Sequence, residues 1–170
     1  AIDKNGRFWL HEANNGPQSM YHEEERAVNT IGYAKFIAEK GIVKHNQFQN
    51  SNNQFNAKTS NLPFADIDER YRIGMLKRKN DDEKLAIACA YVSHYENVQF
   101  YTFAPEDIDF DQMLIKGDFY ENGQWISKII EYPDVIYDRL RLKGVKGYNG
   151  VYEELDGIPF TNEFYGNSTI

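Results

Sequence analysis

Two places in this chain combine residue types that can do chemistry. At Glu12-Ala13-Asn14 a carboxylate and an amide carbonyl stand two positions apart, at the end of a run, Arg7 to Ala13, that alternates as a strand does. A period of two projects both to the same side, about 6.5 to 7 Å apart along the strand. Oxygen ligands so placed suit a hard cation: Mg²⁺ takes one or two protein ligands and leaves its other positions to water and phosphate oxygens. The competing reading is of ordinary polar residues at a strand end. The second place is basic. Lys77-Arg78-Lys79 closes one apolar run, and Arg139 follows Asp138 at the end of another. Ligands of open α/β sheets bind outside the carboxyl ends of the strands, so Lys77, Arg78 and Arg139 are candidates to contact an anionic cofactor or ligand there. A solvated loop is the alternative for the first group, and a mutual ion pair for Asp138 with Arg139.

The elements that would position these residues follow from pattern. Asn5-Gly6 is a hairpin-turn dipeptide ahead of the Arg7 to Ala13 strand, so the chain is expected to start inside a hairpin, as a fragment would. A helix then runs from a Ser19 cap to Lys40-Gly41, with Val28, Ile31, Ala34, Ile37 and Ala38 as its apolar stripe. Glu23-Glu24-Glu25 falls in its first turns, where the helix dipole favours negative charge; consecutive helical residues diverge, which argues against a metal cluster. His11 reads as a strand-face residue. Residues 45–62 are rich in Asn, Gln and Ser, with only Phe48 and Phe55 large and apolar, the composition of a linker.

Beyond residue 70 the apolar pattern returns. A strand at Tyr71 to Lys77, a helix with Leu85, Ala88, Cys89 and Val92 on one face, and a strand at Val98 to Phe103 make a β-α-β start. The connection Lys77 to Asp81 has no glycine, which rules out a dinucleotide fingerprint or a Walker loop there. Asn122-Gly123 predicts a hairpin between Met113 to Lys116 and Trp125 to Glu131, crowded by Phe119, Tyr120 and Trp125; local packing and a lip over a crevice are both open for these rings. The stretch that follows reads strand (Val135 to Tyr137), polar pair (Asp138, Arg139), helix, strand (Pro159 to Phe164). On the helix, Tyr148, Val151, Tyr152 and Leu155 share a face, Glu153 and Glu154 are placed in solvent, and Gly157 is read as a left-handed stop. Strand, helix and strand with short loops favour parallel neighbours.

Composition narrows the field. The chain has 170 residues, 41% apolar and 15% aromatic, enough for a folded core. A net charge of -7 without a basic block argues against nucleic acid or an anionic membrane as partner. No apolar run is long enough to span a bilayer. The single cysteine, Cys89, sits in an apolar helical pattern and reads as a buried, inert thiol.

Pro133 to Arg139, followed by Gly157 to Gly166, closely resembles the YheC/YheD family of endospore coat-associated proteins, in the segment that precedes their ATP-grasp domain; the likeness reaches back to about Tyr71. Residues 3–17 resemble the last hairpin of an ATP-grasp domain, in which a Glu-x-Asn supplies Mg²⁺ ligands beside the ATP phosphates. Carried over, Glu12 would bridge the metals and Asn14 would bind one of them. His11 stands where relatives often have an aliphatic residue.

The resemblance implies three parts: residues 1–44 as the C-terminal end of one ATP-grasp module, 45–70 as a polar linker, and 71–170 as a pre-ATP-grasp-like domain of the next. The expected fold class is therefore α/β, a small mainly parallel sheet with flanking helices, plus a β-hairpin and helix remnant of an ATP-grasp domain. The parent it implies is an ATP- and Mg²⁺-dependent carboxylate-amine ligase. This chain, lacking the adenine-binding body, is expected to be non-catalytic by itself, with the parent's remaining ATP-grasp modules as its partners. The rival reading is a structural module of the spore coat that binds coat proteins and has no ligase activity. A third is a small-ligand-binding regulatory domain with a ligand near Lys77, Arg78 and Arg139 and no nucleotide. A cytoplasmic location, with spore-coat association, goes with these readings.

Overall fold

Alternating apolar residues build most of this fold. The computed structural model describes residues 22–41 and 55–161; the expected first hairpin, with His11, Glu12 and Asn14, lies outside the described residues, as do most of the polar stretch and the chain after Thr161. Helix α1 (His22–Glu39) comes first. Strand β1 (Arg72–Leu76), helix α2 (Lys84–Tyr95) and strand β2 (Gln99–Phe103) follow as the expected β-α-β unit. Then come a short β3 (Ile108–Asp109), the hairpin of β4 (Leu114–Glu121) and β5 (Gln124–Glu131), β6 (Val135–Asp138) and the short helix α3 (Asn149–Glu154).

The fold is α/β, but its sheet is mixed rather than mainly parallel. β1 lies between β2 and β6 and runs parallel to both. β4 is antiparallel to β2, β3 and β5, so half of the six-stranded sheet departs from the expectation. The reason is that the β4–β5 hairpin joins this same sheet. Asn122 and Gly123 take φ of 50° and 82°, the two left-handed residues a tight hairpin requires, and β4 then joins the sheet beside β2 at Thr102↔Asp118. The strand–helix–strand order after residue 134 does give a parallel neighbour: Phe160 bridges Ile136 in parallel, with Ile136 N–H donating to Pro159 and Thr161 N–H to Ile136.

Each face of the sheet has its own core. Ile73, Met75, Phe100, Val135 and Tyr137 pack with Leu85 and Cys89 of α2 and with α1. Leu76, Tyr101, Phe103 and Ile136 pack on the other side with Ile115, Ile130, Tyr152 and Leu155. α1 therefore docks on the sheet that follows it in sequence. Its buried stripe is Ala27, Ile31, Ala34, Ile37 and Ala38; Val28 is half exposed, because 3.6-residue periodicity selects Ala27 as the neighbour of Ile31. Gly41, at φ 61°, closes the helix after Lys40. Burial pushes the Cys89 thiol up to about 12, which keeps it protonated and inert.

Part of the polar stretch is tied to the sheet by backbone groups rather than by apolar side chains, which is why composition does not reveal it. Ala57 N–H donates to the Asp109 carboxylate (2.7 Å), Ala65 N–H donates to the Ile129 carbonyl and Ile129 N–H to that of Pro63. Gly157 is likewise not left-handed; α3 is closed by turns, with Asp156 N–H on Glu153 and Ile158 N–H on Leu155.

Glu154 faces inward rather than solvent. It is only 8% exposed, and its Oε2 has no hydrogen-bond partner among the described residues. Desolvation, with smaller contributions from Glu153 and Asp111, raises its carboxyl above the usual 4.5. A raised carboxyl binds more protons in the folded than in the unfolded state. Its stability contribution is thus fully present below pH 4.5 and is lost as pH rises through the folded value. Glu154→Met, which removes the charge and the orphan oxygen while keeping the length, is expected to stabilise the protein by about 1 kcal/mol at pH 7.5. At pH 4 the gain should shrink, and thermal unfolding at the two pH values checks it.

Candidate functional site

In a sheet wound in two directions, the loops leaving two adjacent strands turn to opposite faces and leave a crevice between them. Here that point lies between β1 and β6. The loop after β1 leads to α2, which packs on one face, and the loop after β6 leads to α3, whose Tyr152 and Leu155 belong to the core on the other. Leu76 and Asp138 are paired across the two strand ends. Lys77 and Arg139 are each the next residue along.

Backbone geometry fixes how the two side chains point. The β1–β2 ladder continues one residue past β1, with Lys77 N–H donating to the Phe103 carbonyl at 3.0 Å. Alternation therefore carries on and puts Lys77 on the face of Ile73 and Met75, under α2. Arg139 and Leu140 both donate their N–H groups to the Leu76 carbonyl, at 2.8 and 3.1 Å, which pins the second loop to the end of the first strand. The ladder continues to Arg139 along β6, whose Val135 and Tyr137 belong to the core under α2, so alternation puts Arg139 on the α2 face too. Neighbouring strands run about 4.8 Å apart, and the two residues thus leave the backbone side by side on one face.

Neither alternative given for these residues holds for Lys77 or Arg139. Lys77 is 8% exposed and is not a solvated loop residue; its Nζ donates to the Arg78 carbonyl at 3.2 Å and meets no carboxylate among the described residues. Asp138 does not pair with Arg139. It is turned to the other face, where its Oδ2 accepts from Tyr152 Oη (2.9 Å) and its Oδ1 from Arg141 N–H (2.9 Å). The Tyr152 oxygen also accepts from Leu142 N–H, so one hydroxyl holds both ends of the turn that follows β6. Arg78 is exposed and beside Lys77.

The other charges nearby are already engaged. Lys79 sits 3.3 Å from Asp107 and 3.6 Å from Glu106, in the loop after β2. Asp107 is buried, which raises its carboxyl; it accepts from Ala104 N–H and lies 3.9 Å from Lys116. Asp81 accepts from Arg78 N–H, Asp82 from Lys84 N–H, and Glu83 from Trp125 Nε1 at 3.0 Å. The aromatic rings pack on one another, Trp125 and Tyr120 at 5.0 Å and Tyr120 edge-on to Tyr91 of α2 at 5.9 Å, and Phe119 and Tyr120 also line a groove with Ser93, His94 and Gln99. From 139 to 146 every charged residue is basic (Arg139, Arg141, Lys143, Lys146), in a chain of net charge -7.

Comparison of the chain with models of protein families, with curated proteins and with solved structures finds no match. The site offers a buried ammonium and a half-buried guanidinium on rigid strand ends, the arrangement that receives an oxyanion. Glu12 and Asn14, the expected metal ligands, lie outside the described residues, and no cluster of His, Cys, Asp or Glu that could hold a metal occurs among the described ones. No helix of the described residues is long and apolar enough to cross a membrane. Sequence reasoning missed the Tyr152 clamp. Its signal was present in a tyrosine on an apolar helix face, since a buried phenol needs a hydrogen-bond partner at its tip.

Proposed function

We propose that this chain is a non-catalytic piece of an ATP-dependent carboxylate-amine ligase of the ATP-grasp, YheC/YheD-like kind, associated with the endospore coat. In this reading residues 1–44 end one ATP-grasp module, residues 71–170 form the front domain of the next, and the parent's remaining modules are its partners. The observation that carries the reading is the pair of residue strings in this order: 3–17 with Glu12 and Asn14, then 133–139 with 157–166. The fold is compatible with it, since an open α/β sheet with cations at its carboxyl edge is where a ligase's anionic substrate or cofactor would dock.

Such a ligase activates a carboxylate by phosphoryl transfer from ATP, and a nucleophile then attacks the acyl-phosphate. Mg²⁺, when bound, neutralises charge on the phosphates. Glu12 and Asn14 would hold it through oxygen, and Lys77, Arg78 and Arg139 would face an anion at the sheet edge. The test is a calorimetric titration of this chain with Mg-ATP beside a Glu12→Gln control. Heat that disappears in the control supports a retained metal-nucleotide site. Heat of the same size in both contradicts the role given to Glu12. The rival, a coat scaffold without ligase activity, predicts coat incorporation that ignores the substitution.

A further inference from the structure

The geometry points to a second, nucleotide-independent role for the β1–β6 crevice: Lys77 and Arg139 together hold a compact dianionic oxyanion, a phosphate group or a pair of carboxylates, on the α2 face of the sheet. This inference deepens the anion-facing role given above to Lys77 and Arg139 and rests on that part of the reading, while none of its residues belongs to the Glu12-x-Asn14 string.

Three observations carry it. First, a buried ammonium is costly unless a negative charge meets it, and among the described residues Lys77 Nζ meets a neighbouring carbonyl and no carboxylate. Second, like charges side by side on adjacent strands repel, yet Arg139 is placed beside Lys77 by two backbone hydrogen bonds to Leu76, with no ion-pair partner among the described residues. Third, no described acidic residue of the surrounding loops makes an ion pair with either cation: Asp81, Asp82 and Glu83 accept from N–H donors, Glu106 and Asp107 lie against Lys79, and Asp138 is on the opposite face. A small anion carrying two charges satisfies both cations at once. A monoanion leaves one uncompensated. Because the strand ends are fixed, the ligand meets a preorganised pair, which limits the ordering cost of binding.

Arg78, exposed and next to Lys77, would steer an anion toward this pair. The clamp of Tyr152 on Asp138 and Leu142 holds the second loop from the other face and keeps the Asp138 carboxylate away from the cations.

The experiment is thermal unfolding of the full chain at constant ionic strength, chloride being exchanged for inorganic phosphate in one series and for malonate in another. The expected result is a saturable rise of a few degrees in the midpoint. A rise with phosphate alone identifies a tetrahedral anion as the ligand, a rise with malonate alone a paired carboxylate, and either supports the site. Lys77→Met and Arg139→Gln should each weaken the response about tenfold or more, while Lys58→Gln, distant and exposed, leaves it unchanged. In chloride alone Lys77→Met should unfold no earlier than the wild type, since it removes a repulsion; if it fails to fold, Arg139→Gln carries the test. Glu12→Gln should respond to phosphate as the wild type does, so failure of the metal-nucleotide reading and of this one are told apart. No rise in either series, or equal rises in the wild type and both crevice variants, as an adventitious ion would give, overturns the inference. So does a large loss of stability in chloride for both variants.

Discussion

Gly74→Val is expected to destabilise the protein by about 3 kcal/mol or more, enough to unfold a large share of a domain of ordinary stability. Gly74 is the middle residue of β1, buried between β2 and β6. A Cβ placed there would lie 2.8 Å from the Phe103 ring and 3.0 Å from Pro133, inside any tolerated contact. Pro133 is rigid, and Phe103 is almost fully enclosed, so neither can swing away cheaply. The measurement is urea unfolding: the midpoint should fall with little change in slope, because the same surface is exposed on unfolding. Gly74→Ala combined with Phe103→Leu should recover part of what Gly74→Ala loses alone, since the two positions are in contact. If Gly74→Val unfolds at the wild-type midpoint, the packing of β1 described above is wrong.

The second large effect belongs to the proposed ligase. In a longer protein carrying the complete ATP-grasp module that residues 1–44 would end, Glu12→Gln is expected to lower ATP turnover about a hundredfold or more. Glutamine keeps the size and one carbonyl oxygen of glutamate but loses the charge that a metal bridge uses. The loss should appear in kcat and in the Mg²⁺ concentration needed for half-maximal rate, with circular dichroism unchanged. Turnover within twofold of wild type would remove Glu12 from the metal site and favour the scaffold reading.

How much of this was legible in the sequence depends on which force set each feature. The β1–α2–β2 unit, the Asn122-Gly123 hairpin and β6 were readable because a side-chain period or a turn dipeptide marks each of them locally. The mixed sheet was not, since pairing of β4 with β2 is a long-range choice that hairpin chemistry leaves open. Residues 57–65 read as linker because their attachment runs through backbone N–H and C=O groups, which composition does not register. Glu154 was assigned to solvent by its charge, yet it lies on the buried side of a helix of only six residues, too short for a clear amphipathic pattern. At the candidate site, the residue types and their position at strand ends were visible in sequence. Their juxtaposition was not: the Leu76↔Asp138 register puts Lys77 beside Arg139, and Asp138, held on the other face by Tyr152 Oη and Arg141 N–H, does not pair with them.

The proposed functional edge of this sheet is its carboxyl end between β1 and β6. Amide chemical-shift mapping of the full chain during titration with inorganic phosphate tests it most directly, because it reports where an anion binds as well as whether it binds. The predicted result is a saturable set of shifts centred on Lys77, Arg78 and Arg139 to Leu142, with the start of α2 next in size. Shifts centred instead on the surface groove between α2, β2 and the hairpin, at Ser93, His94, Gln99 and Lys128, would contradict it.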